Sequence, residues 1–410
     1  MLVSTASESA LTTKGSIVAF KKNQNVKKAI LYIYQEGSCT LAQLAKVLNI
    51  SIPSATDIIE QLTDEGWVNT VGTVFGNNGR RPVLFGLNPV GHYILLLDSN
   101  THGTKVLLVN LLRTIIFQRS VDTALEDNSR FSDFLVSFVN KAVAESGIAK
   151  SDIIGVGLSL PGLIDSRQGV NLSYLNLGVP GQSLTEWLDQ QWNLPVFMMN
   201  DTKATALGEH RFGGGLGKQH ALAINIDWGV GLGIIINGEV FHGASGFAGE
   251  LGHIQADPHG ELCYCGKIGC LDTLTSASAL VKRVQREVEA GQATKLAVYR
   301  DNPSQITISH VIQAAAQGDT FAIDQLHVTG YQLGKGLAIA VTLFNPEIII
   351  VDGVLAEASL FITNSIKQAI NKHCLSGFRN DLIVEVTRLD GAAKWLGTHA
   401  HVIESLFIDS

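Results

Sequence analysis

Residues 246–272 read GFAGELGHIQADPHGELCYCGKIGCLD and hold three of the five cysteines of the chain. Cys263, Cys265 and Cys270 lie within eight positions of each other, and His253 stands ten positions before the first of them. One imidazole and three thiolates make the closed tetrahedral set that structural Zn²⁺ takes, with no position left for a reacting water. The spacing therefore predicts a structural zinc site, with three buried thiols beside a core histidine as the alternative.

The chain before this stretch begins with an arm and a compact helical domain. Residues 1–13 are rich in Ser and Thr and predict a flexible arm. Apolar residues then recur at helical spacing over 25–35, Thr40 is placed to cap a second helix, and a third helix has Pro53 in its first turn. Two apolar runs around a Gly-Asn-Asn-Gly turn follow, as in a β-hairpin. This order predicts a winged helix-turn-helix domain over 14–89.

Five polar residues of this domain are candidates for contacting double-stranded DNA. Ser51, Ser54 and Thr56 fall at exposed early positions of the third helix, which in this motif lies in the major groove. Arg80 and Arg81 follow the hairpin turn, where they can enter the minor groove or hold the phosphate backbone. A protein-docking module of the same shape, with a solvated Arg pair, is the alternative.

The charge of the chain supports the first of these interpretations. Residues 14–90 carry eight Lys or Arg against five acidic residues, a net charge of +3, which leaves −10 for the rest of a chain whose total is −7. A basic head on an acidic body indicates that only the head meets a polyanion.

The composition describes a multidomain globular protein. With 410 residues, 46% hydrophobic and 16% charged, the chain is too long for one core and too apolar for disorder. No apolar run reaches the roughly 18–20 residues of a membrane span, and the N-terminus lacks the pattern of an export signal. Cysteines that bind a metal and form no disulfides are typical of a reducing compartment, so we expect a cytoplasmic location.

After residue 90, strand-like and helical segments alternate in two groups. Residues 93–121 predict a three-strand meander, and a helix and a buried strand ending in a Leu-Pro-Gly loop follow. Another strand closes on Asn200 and Asp201, before an Ala-rich helix and a second group of strands and helices. Two α/β lobes with mixed sheets, over 90–200 and 201–410, are the simplest architecture.

The sequence resembles the ROK family (repressors, open reading frames and sugar kinases). The resemblance is carried by Glu-x-Gly-His followed by Cys-x-Cys-Gly-x-x-Gly-Cys, and by the Gly-x-x-Gly-Arg-Arg-Pro hairpin, which is similar to the Gly-Arg-Pro wing of the family's repressors. It covers nearly the whole chain. It implies a winged helix-turn-helix followed by the actin-like (ribonuclease H-like), two-lobed fold of the sugar kinases, with the C-terminal helix returning to the first lobe.

The resemblance also implies a sugar site. In the family's kinases the residue that matches Asp201 removes a proton from the attacking sugar hydroxyl, and the residue that matches Asn200 holds neighbouring hydroxyls. Asp272 departs from the family's usual Glu, and Gly162 is a candidate for backbone contact. The candidate sugar ligands are Gly162, Asn200, Asp201, Glu250, His253 and Asp272. A plain helix cap is the alternative for Asn200 and Asp201.

The phosphate-binding loops depart from the family's kinases. Asp98 is followed by Ser-Asn-Thr-His, where a kinase has a glycine pair. Asp227 and Trp228 precede the alternating glycines of the second loop, and Asp352 and Val354 replace two glycines of the third. A carboxylate and an indole there repel or block a triphosphate, so these changes argue against ATP turnover.

We therefore expect a sugar-responsive, DNA-binding transcriptional regulator, a repressor, whose catalytically inactive body binds a sugar or sugar phosphate. Pairing into a homodimer or tetramer is expected because helix-turn-helix proteins read paired half-sites. An active hexose or N-acetylhexosamine kinase of the family is the alternative, with Asp201 as its catalytic base. Regulation by docking of a transporter component is a third hypothesis.

Overall fold

The computed structural model describes residues 14–74, 81–179 and 181–408. The predicted arm over 1–13, Arg80 and the Gly-Asn-Asn-Gly turn lie outside the described residues. No helix among the described residues is long and apolar enough to cross a membrane.

The head, residues 14–89, contains three helices and a small sheet. Its elements are α1 (Lys14–Glu36), β1 (Ser38–Cys39), α2 (Leu41–Leu48), α3 (Ile52–Asp64), β2 (Val68–Thr73) and β3 (Val83–Leu87). The strands pair antiparallel in the order β1-β3-β2. The winged helix-turn-helix prediction is confirmed, except that the first helix begins at Lys14 and not at Asn25.

Side chains at the N-termini of α2 and α3 cap these two helices of the head. The Thr40 side chain accepts a hydrogen bond from the Gln43 backbone N–H, and the Gln43 side-chain oxygen accepts one from the Thr40 backbone N–H, which forms a capping box at α2. Ser51 caps α3 by accepting from the Ser54 N–H, and Pro53 occupies the first turn. These caps hold α2 and α3 in the two-helix arrangement of the motif.

The first lobe is built on a five-stranded sheet. Its elements are β4 (Tyr93–Asn100), β5 (Gly103–Asn110), β6 (Ile115–Val121), α4 (Ser129–Ser146), β7 (Ile153–Leu160), β8 (Ile164–Asp165), β9 (Val170–Asn171), α5 (Leu184–Trp192) and β10 (Val196–Asn200). The strand order is β10-β7-β4-β5-β6, with β10, β7 and β4 mutually parallel and the remaining pairs antiparallel. The carboxyl ends of β4, β7 and β10 therefore meet at one edge.

The second lobe repeats this plan with more helices. Its elements are α6 (Asp201–Phe212), β11 (Ala221–Ile226), β12 (Val230–Ile236), β13 (Glu239–Val240), α7 (Asp272–Thr275), α8 (Ala277–Glu289), α9 (Ile308–Ala316), α10 (Thr320–Phe344), β14 (Ile348–Asp352), α11 (Ser359–His373), α12 (Ser376–Arg379), β15 (Ile383–Val386) and α13 (Ala393–Phe407). The strand order is β13-β12-β11-β14-β15. All residues of β11 and β14 are buried, as expected for central strands covered on both faces.

Two helices lie between the sheets and join them. Helix α6 packs on β11 and β12, while α13 packs on β4, β7 and β10 and along α6. They approach backbone to backbone, because a Cβ at Gly208 would lie 1.9 Å from the Ala393 carbonyl oxygen and one at Gly397 would lie 1.8 Å from that of Ala204. Only glycine fits at either position.

The head is docked on α13 and the first lobe. The Tyr34 hydroxyl in α1 lies 2.8 Å from Nδ1 of the fully buried His399, whose Nε2 lies 3.1 Å from the Asn110 carbonyl oxygen. Trp67 stacks on His92 with ring centroids 3.8 Å apart and meets Phe407 edge-on at 5.5 Å. These contacts place the head in one hydrophobic cluster with the C-terminal helix.

Candidate functional site

The four predicted metal ligands converge in the structure. Their donor atoms all lie within 4.8 Å of one another, with His253 Nδ1 3.6 Å from Cys263 Sγ and Cys265 Sγ 3.6 Å from Cys270 Sγ. In a tetrahedral zinc site the donors are separated by roughly 3.5–3.8 Å, so these residues fit Zn²⁺. The three cysteines are free thiols, so each is available as a ligand.

The loop around these ligands is held tightly by its own backbone. Gly269 has φ +70°, and a Cβ there would lie 1.5 Å from the Asp257 carbonyl oxygen. The Asp257 N–H in turn bonds to the Gly269 carbonyl at 3.0 Å. Burial, followed by hydrogen bonds with the Cys265 and Cys263 thiols, raises the pKa of Cys270 to about 12. A metal bound here must therefore displace a proton from that thiol.

His253 presents its two ring nitrogens to different partners. Nδ1 faces the thiols, while Nε2 lies 3.9 Å from a Glu250 carboxylate oxygen and 3.0 Å from the Tyr264 hydroxyl. A metal on Nδ1 would fix the ring and leave Nε2 available as a hydrogen-bond donor. The double assignment of His253, as metal ligand and sugar ligand, is thus sterically consistent.

Asn200 and Asp201 lie at the end of β10 and the start of α6. The Asn200 side chain caps α6 by accepting from the Lys203 N–H at 3.1 Å, and its Nδ2 donates to the Gly162 carbonyl at 3.0 Å. Asp201 Oδ1 accepts from the Thr202 N–H at 2.7 Å. Asn200 is therefore a cap as well as a site candidate, and the Gly162 carbonyl is already paired.

The charge around Asp201 is unusual for a cap. Burial raises the pKa of Asp201 to about 6, the Lys394 ammonium opposes that rise, and the Asp98 and Asp227 carboxylates add to it. Lys394 Nζ pairs with Asp98 Oδ2 at 2.7 Å, while the buried Asp98 Oδ1 has no partner within the described part of the chain. One ammonium thus faces several carboxylates from both lobes, which is typical of a functional site.

Glu250 lies on the second lobe. Its carboxylate remains 41% exposed, and burial followed by the Asp201 charge raises its pKa, against the effect of Lys203. The buried Lys203, on α6, donates to the Gly246 carbonyl just before Glu250. Lys203 therefore ties the loop that carries Glu250 to the helix that carries Asp201.

Asp272 is placed differently from the other candidates. Only 6% of it is exposed, and its Oδ1 accepts the Val230 N–H at 2.8 Å. This bond fixes the start of β12. Its assignment as a sugar ligand stays a prediction and requires the second carboxylate oxygen to reach the ligand.

An aromatic stack joins two hairpin turns, one from each lobe. The His102 ring, between β4 and β5, lies on the Trp228 ring, between β11 and β12, with centroids 4.3 Å apart and an interplanar angle of 17°. Asp227 Oδ1 accepts the Val354 N–H at 2.8 Å. The three loops where the sequence departs from the family's kinases thus contact one another through His102, Trp228, Asp227 and Val354.

The candidate DNA contacts on α3 are partly used within the helix. Ser51 and Ser54 hydroxyls lie 2.9 Å apart, and the Thr56 hydroxyl donates to the Ile52 carbonyl at 3.0 Å. Because phosphates only accept hydrogen bonds, Thr56 must rotate to contact one. Arg81 is exposed.

Sequence reasoning did not find Lys394, Lys203 or Tyr264. Lys394 lies more than 190 positions after Asp201 in a segment without a motif, so no local signal indicates it. Tyr264 stands between two predicted ligands, and its position in Cys-Tyr-Cys was the available signal.

A winged helix-turn-helix head on a two-lobed body with a polar site where the lobes meet defines a regulator built on a sugar-kinase fold. The ROK family model matches residues 98–404 and the MarR family model matches residues 28–70. The chain therefore belongs to the ROK family.

Two relatives cover about nine tenths or more of the chain, and a third covers three quarters of it. The xylose repressor of Caldicellulosiruptor bescii is 29% identical over 365 residues, which are 89% of this chain and 91% of that protein. A ROK family transcriptional regulator, a homolog of the E. coli MLC protein, has a crystal structure that matches with TM-score 0.81 and 30% identity over 95% of this chain and 97% of its own. A ROK family glucokinase from Streptomyces griseus, in complex with glucose and AMPPNP, matches with TM-score 0.66 and 28% identity over 75% of this chain and 98% of its own.

Proposed function

We propose that this protein is a sugar-responsive repressor that binds double-stranded DNA and whose body binds a sugar or sugar phosphate without phosphorylating it. The observation that carries the proposal is helix α13, which contacts the candidate sugar site at one end and the DNA-binding head further along. Lys394 faces Asp98 and Asp201, and His399 bonds to Tyr34 of α1.

The candidate sugar site has the donors and acceptors that polyol recognition requires. Asn200 and Asp201 come from the junction of the lobes, and Glu250 and His253 come from the metal-braced loop. Each carboxylate can accept from two adjacent hydroxyls, and a site of this kind rejects analogues that lack one of them. A structural Zn²⁺ on His253 and the three cysteines would hold Glu250 and His253 in place, with no open position for catalysis.

The loops opposite the sugar residues do not favour a nucleotide. The stacked His102 and Trp228 rings lie between the β4–β5 turn and the β11–β12 turn. The Asp227 carboxylate already accepts a hydrogen bond from the Val354 N–H. The glucokinase relative was crystallised with AMPPNP, and its similarity to the body supports the kinase alternative. The preserved Asp201 also supports it, since a pKa near 6 suits a general base.

Linkage describes how the sugar would change DNA binding. A sugar that binds one arrangement of the lobes better than another shifts the population toward that arrangement. Because α13 lies against both the site and the head, the position of the head would differ between the arrangements. In a homodimer or tetramer the heads act in pairs, and two half-sites on DNA lie about one helical turn apart. The sugar would therefore bring the two heads of a pair to that separation or move them away from it.

Titration calorimetry on the zinc-loaded full chain tests the proposal. The ligands are xylose, hexoses, N-acetylhexosamines and their 6-phosphates, each with and without Mg-ATP. Binding of one sugar, absence of ATP-dependent turnover and a change in DNA affinity with that sugar are the expected results. Sugar phosphate formation would make the protein a kinase. DNA binding that ignores every sugar but responds to a transporter component would favour protein docking as the signal.

A further inference from the structure

The stack of His102 on Trp228 links the two lobes without belonging to either core. His102 lies in the turn of the first lobe's β4–β5 hairpin, and Trp228 lies in the turn of the second lobe's β11–β12 hairpin. Both side chains are at the surface, and 39% of Trp228 is exposed. The contact therefore depends on how far apart the two lobes are.

Both turns are held by bonds within their own lobe. The His102 backbone N–H donates to Asn100 Oδ1 at 2.8 Å. On the other side, the Trp228 carbonyl accepts from the Ser278 hydroxyl at 2.8 Å, and its neighbour Asp227 accepts from Val354. Because each turn is already ordered, stacking costs little further backbone entropy, and only the side-chain rotamers of the two rings become fixed.

The geometry is that of a favourable stacked pair. Centroids 4.3 Å apart with planes 17° from parallel describe two stacked aromatic rings. Such a pair, beyond the area it buries, is equivalent to roughly a two- to tenfold change in an equilibrium constant. This is enough to bias an equilibrium between open and closed lobes and too little to prevent opening.

We propose that His102 and Trp228 form a latch that favours the closed arrangement of the lobes. The proposal rests on the sugar-sensing function, since the candidate ligands come from both lobes and bind together only when the lobes are close. With the latch intact, part of the closing is complete before the sugar arrives, so the sugar binds more tightly.

Fluorine NMR detects the latch independently of any sugar. The full chain is labelled with 5-fluorotryptophan, and among its five tryptophans the resonance of Trp228 is assigned by its loss in Trp228→Phe. His102→Ala should shift this resonance and His102→Phe should shift it less. His373→Ala is the matched control, because His373 meets Tyr331 within one lobe at 6.1 Å.

Hydrogen exchange and sugar binding then measure what the latch does. In His102→Ala and Trp228→Ala, amides of the β4–β5 and β11–β12 turns should exchange roughly two- to tenfold faster, and the affinity for the sugar found by calorimetry should fall by the same factor. The double variant should lose no more than either single variant, because both remove one contact.

The outcomes separate this proposal from the proposed function. A Trp228 resonance unmoved by His102→Ala overturns the latch whether or not any sugar binds. A shifted resonance with unchanged exchange, or losses that add in the double variant, also overturns it. A shifted resonance with faster exchange supports the latch even where no sugar of the panel binds, and in that case the sugar-sensing function fails alone.

Discussion

Replacing Asp201 with Asn tests whether the charge of the candidate site destabilises the fold. Burial, with contributions from Asp98 and Asp227, raises the pKa of Asp201 from its ordinary 3.8 to about 6, against the effects of Lys394 and the Thr202 N–H. The folded protein therefore holds this proton more tightly than the unfolded chain does. Ionisation of Asp201 then opposes folding.

The sign and size follow from linkage. Below pH 3.8 both states are protonated and the effect vanishes, whereas stability falls as the pH rises from 3.8 to about 6 and stays lower above it. The full increase in the pKa corresponds to about 3 kcal/mol. An Asn carbonyl can still accept the Thr202 N–H, so we expect Asp201→Asn to gain about 1–3 kcal/mol in the free energy of unfolding at pH 7.5.

Urea unfolding followed by tryptophan fluorescence at pH 4 and pH 7.5 measures this gain. Asp133→Asn is the control, because Asp133 is an exposed carboxylate on α4 that makes no hydrogen bond or ion pair with the described residues. The same Asn variant should bind the cognate sugar at least tenfold more weakly, because one carboxylate oxygen is replaced by an NH2 group that cannot accept from a hydroxyl, while the remaining oxygen already accepts the Thr202 N–H. A loss of stability, or a gain equal at both pH values, would refute the electrostatic argument.

Three further predictions concern the head and the metal. Tyr34→Phe should lower the free energy of unfolding, measured by the same urea titration, by about 1–3 kcal/mol, because it leaves Nδ1 of the buried His399 without its partner. Tyr32→Phe on the same helix is the control, because it removes no hydrogen bond to a described residue and should have little effect. Cys265→Ser should abolish stoichiometric zinc, measured by mass spectrometry, and weaken sugar binding, while Cys374→Ser, outside the cluster, should leave the zinc content unchanged. Arg81→Gln should weaken binding to all duplex DNA and reduce the slope of log affinity against log salt by about 1, and an unchanged slope would remove Arg81 from the interface.

The parts of the fold that local signals encode could be predicted from the sequence. Thr40 and Pro53 mark the starts of two helices by capping chemistry, and both act as expected. The cysteine cluster is equally local, because Cys263, Cys265 and Cys270 need only one tight loop to meet. In both cases the interacting residues are close together in the sequence, so the residues that form the pattern are also the residues that make the contact.

Contacts between distant segments could not be predicted in this way. Tyr34 and His399 are separated by 365 positions, and Lys394 reaches Asp98 only because α13 returns to the first sheet. Ser51 shows a different limit, since a hydroxyl at a helix start serves equally as a cap and as a DNA contact. Sequence reasoning assigned the second role, and the structure adds the first.

The crossing of α6 and α13 gives Asp201 a role that does not depend on phosphoryl transfer. A Cβ at Gly397 would lie 1.8 Å from the Ala204 carbonyl oxygen, so the helices touch along their backbones. Close-packed contacts of this kind switch between arrangements and do not deform continuously. Asp201 begins α6 and contributes to the charge that holds Lys394 of α13, so sugar hydroxyls that bind the Asp201 carboxylate would weaken its hold on Lys394. We infer that α13 then shifts as a rigid body, and that His399, on the same helix, carries the shift to the head.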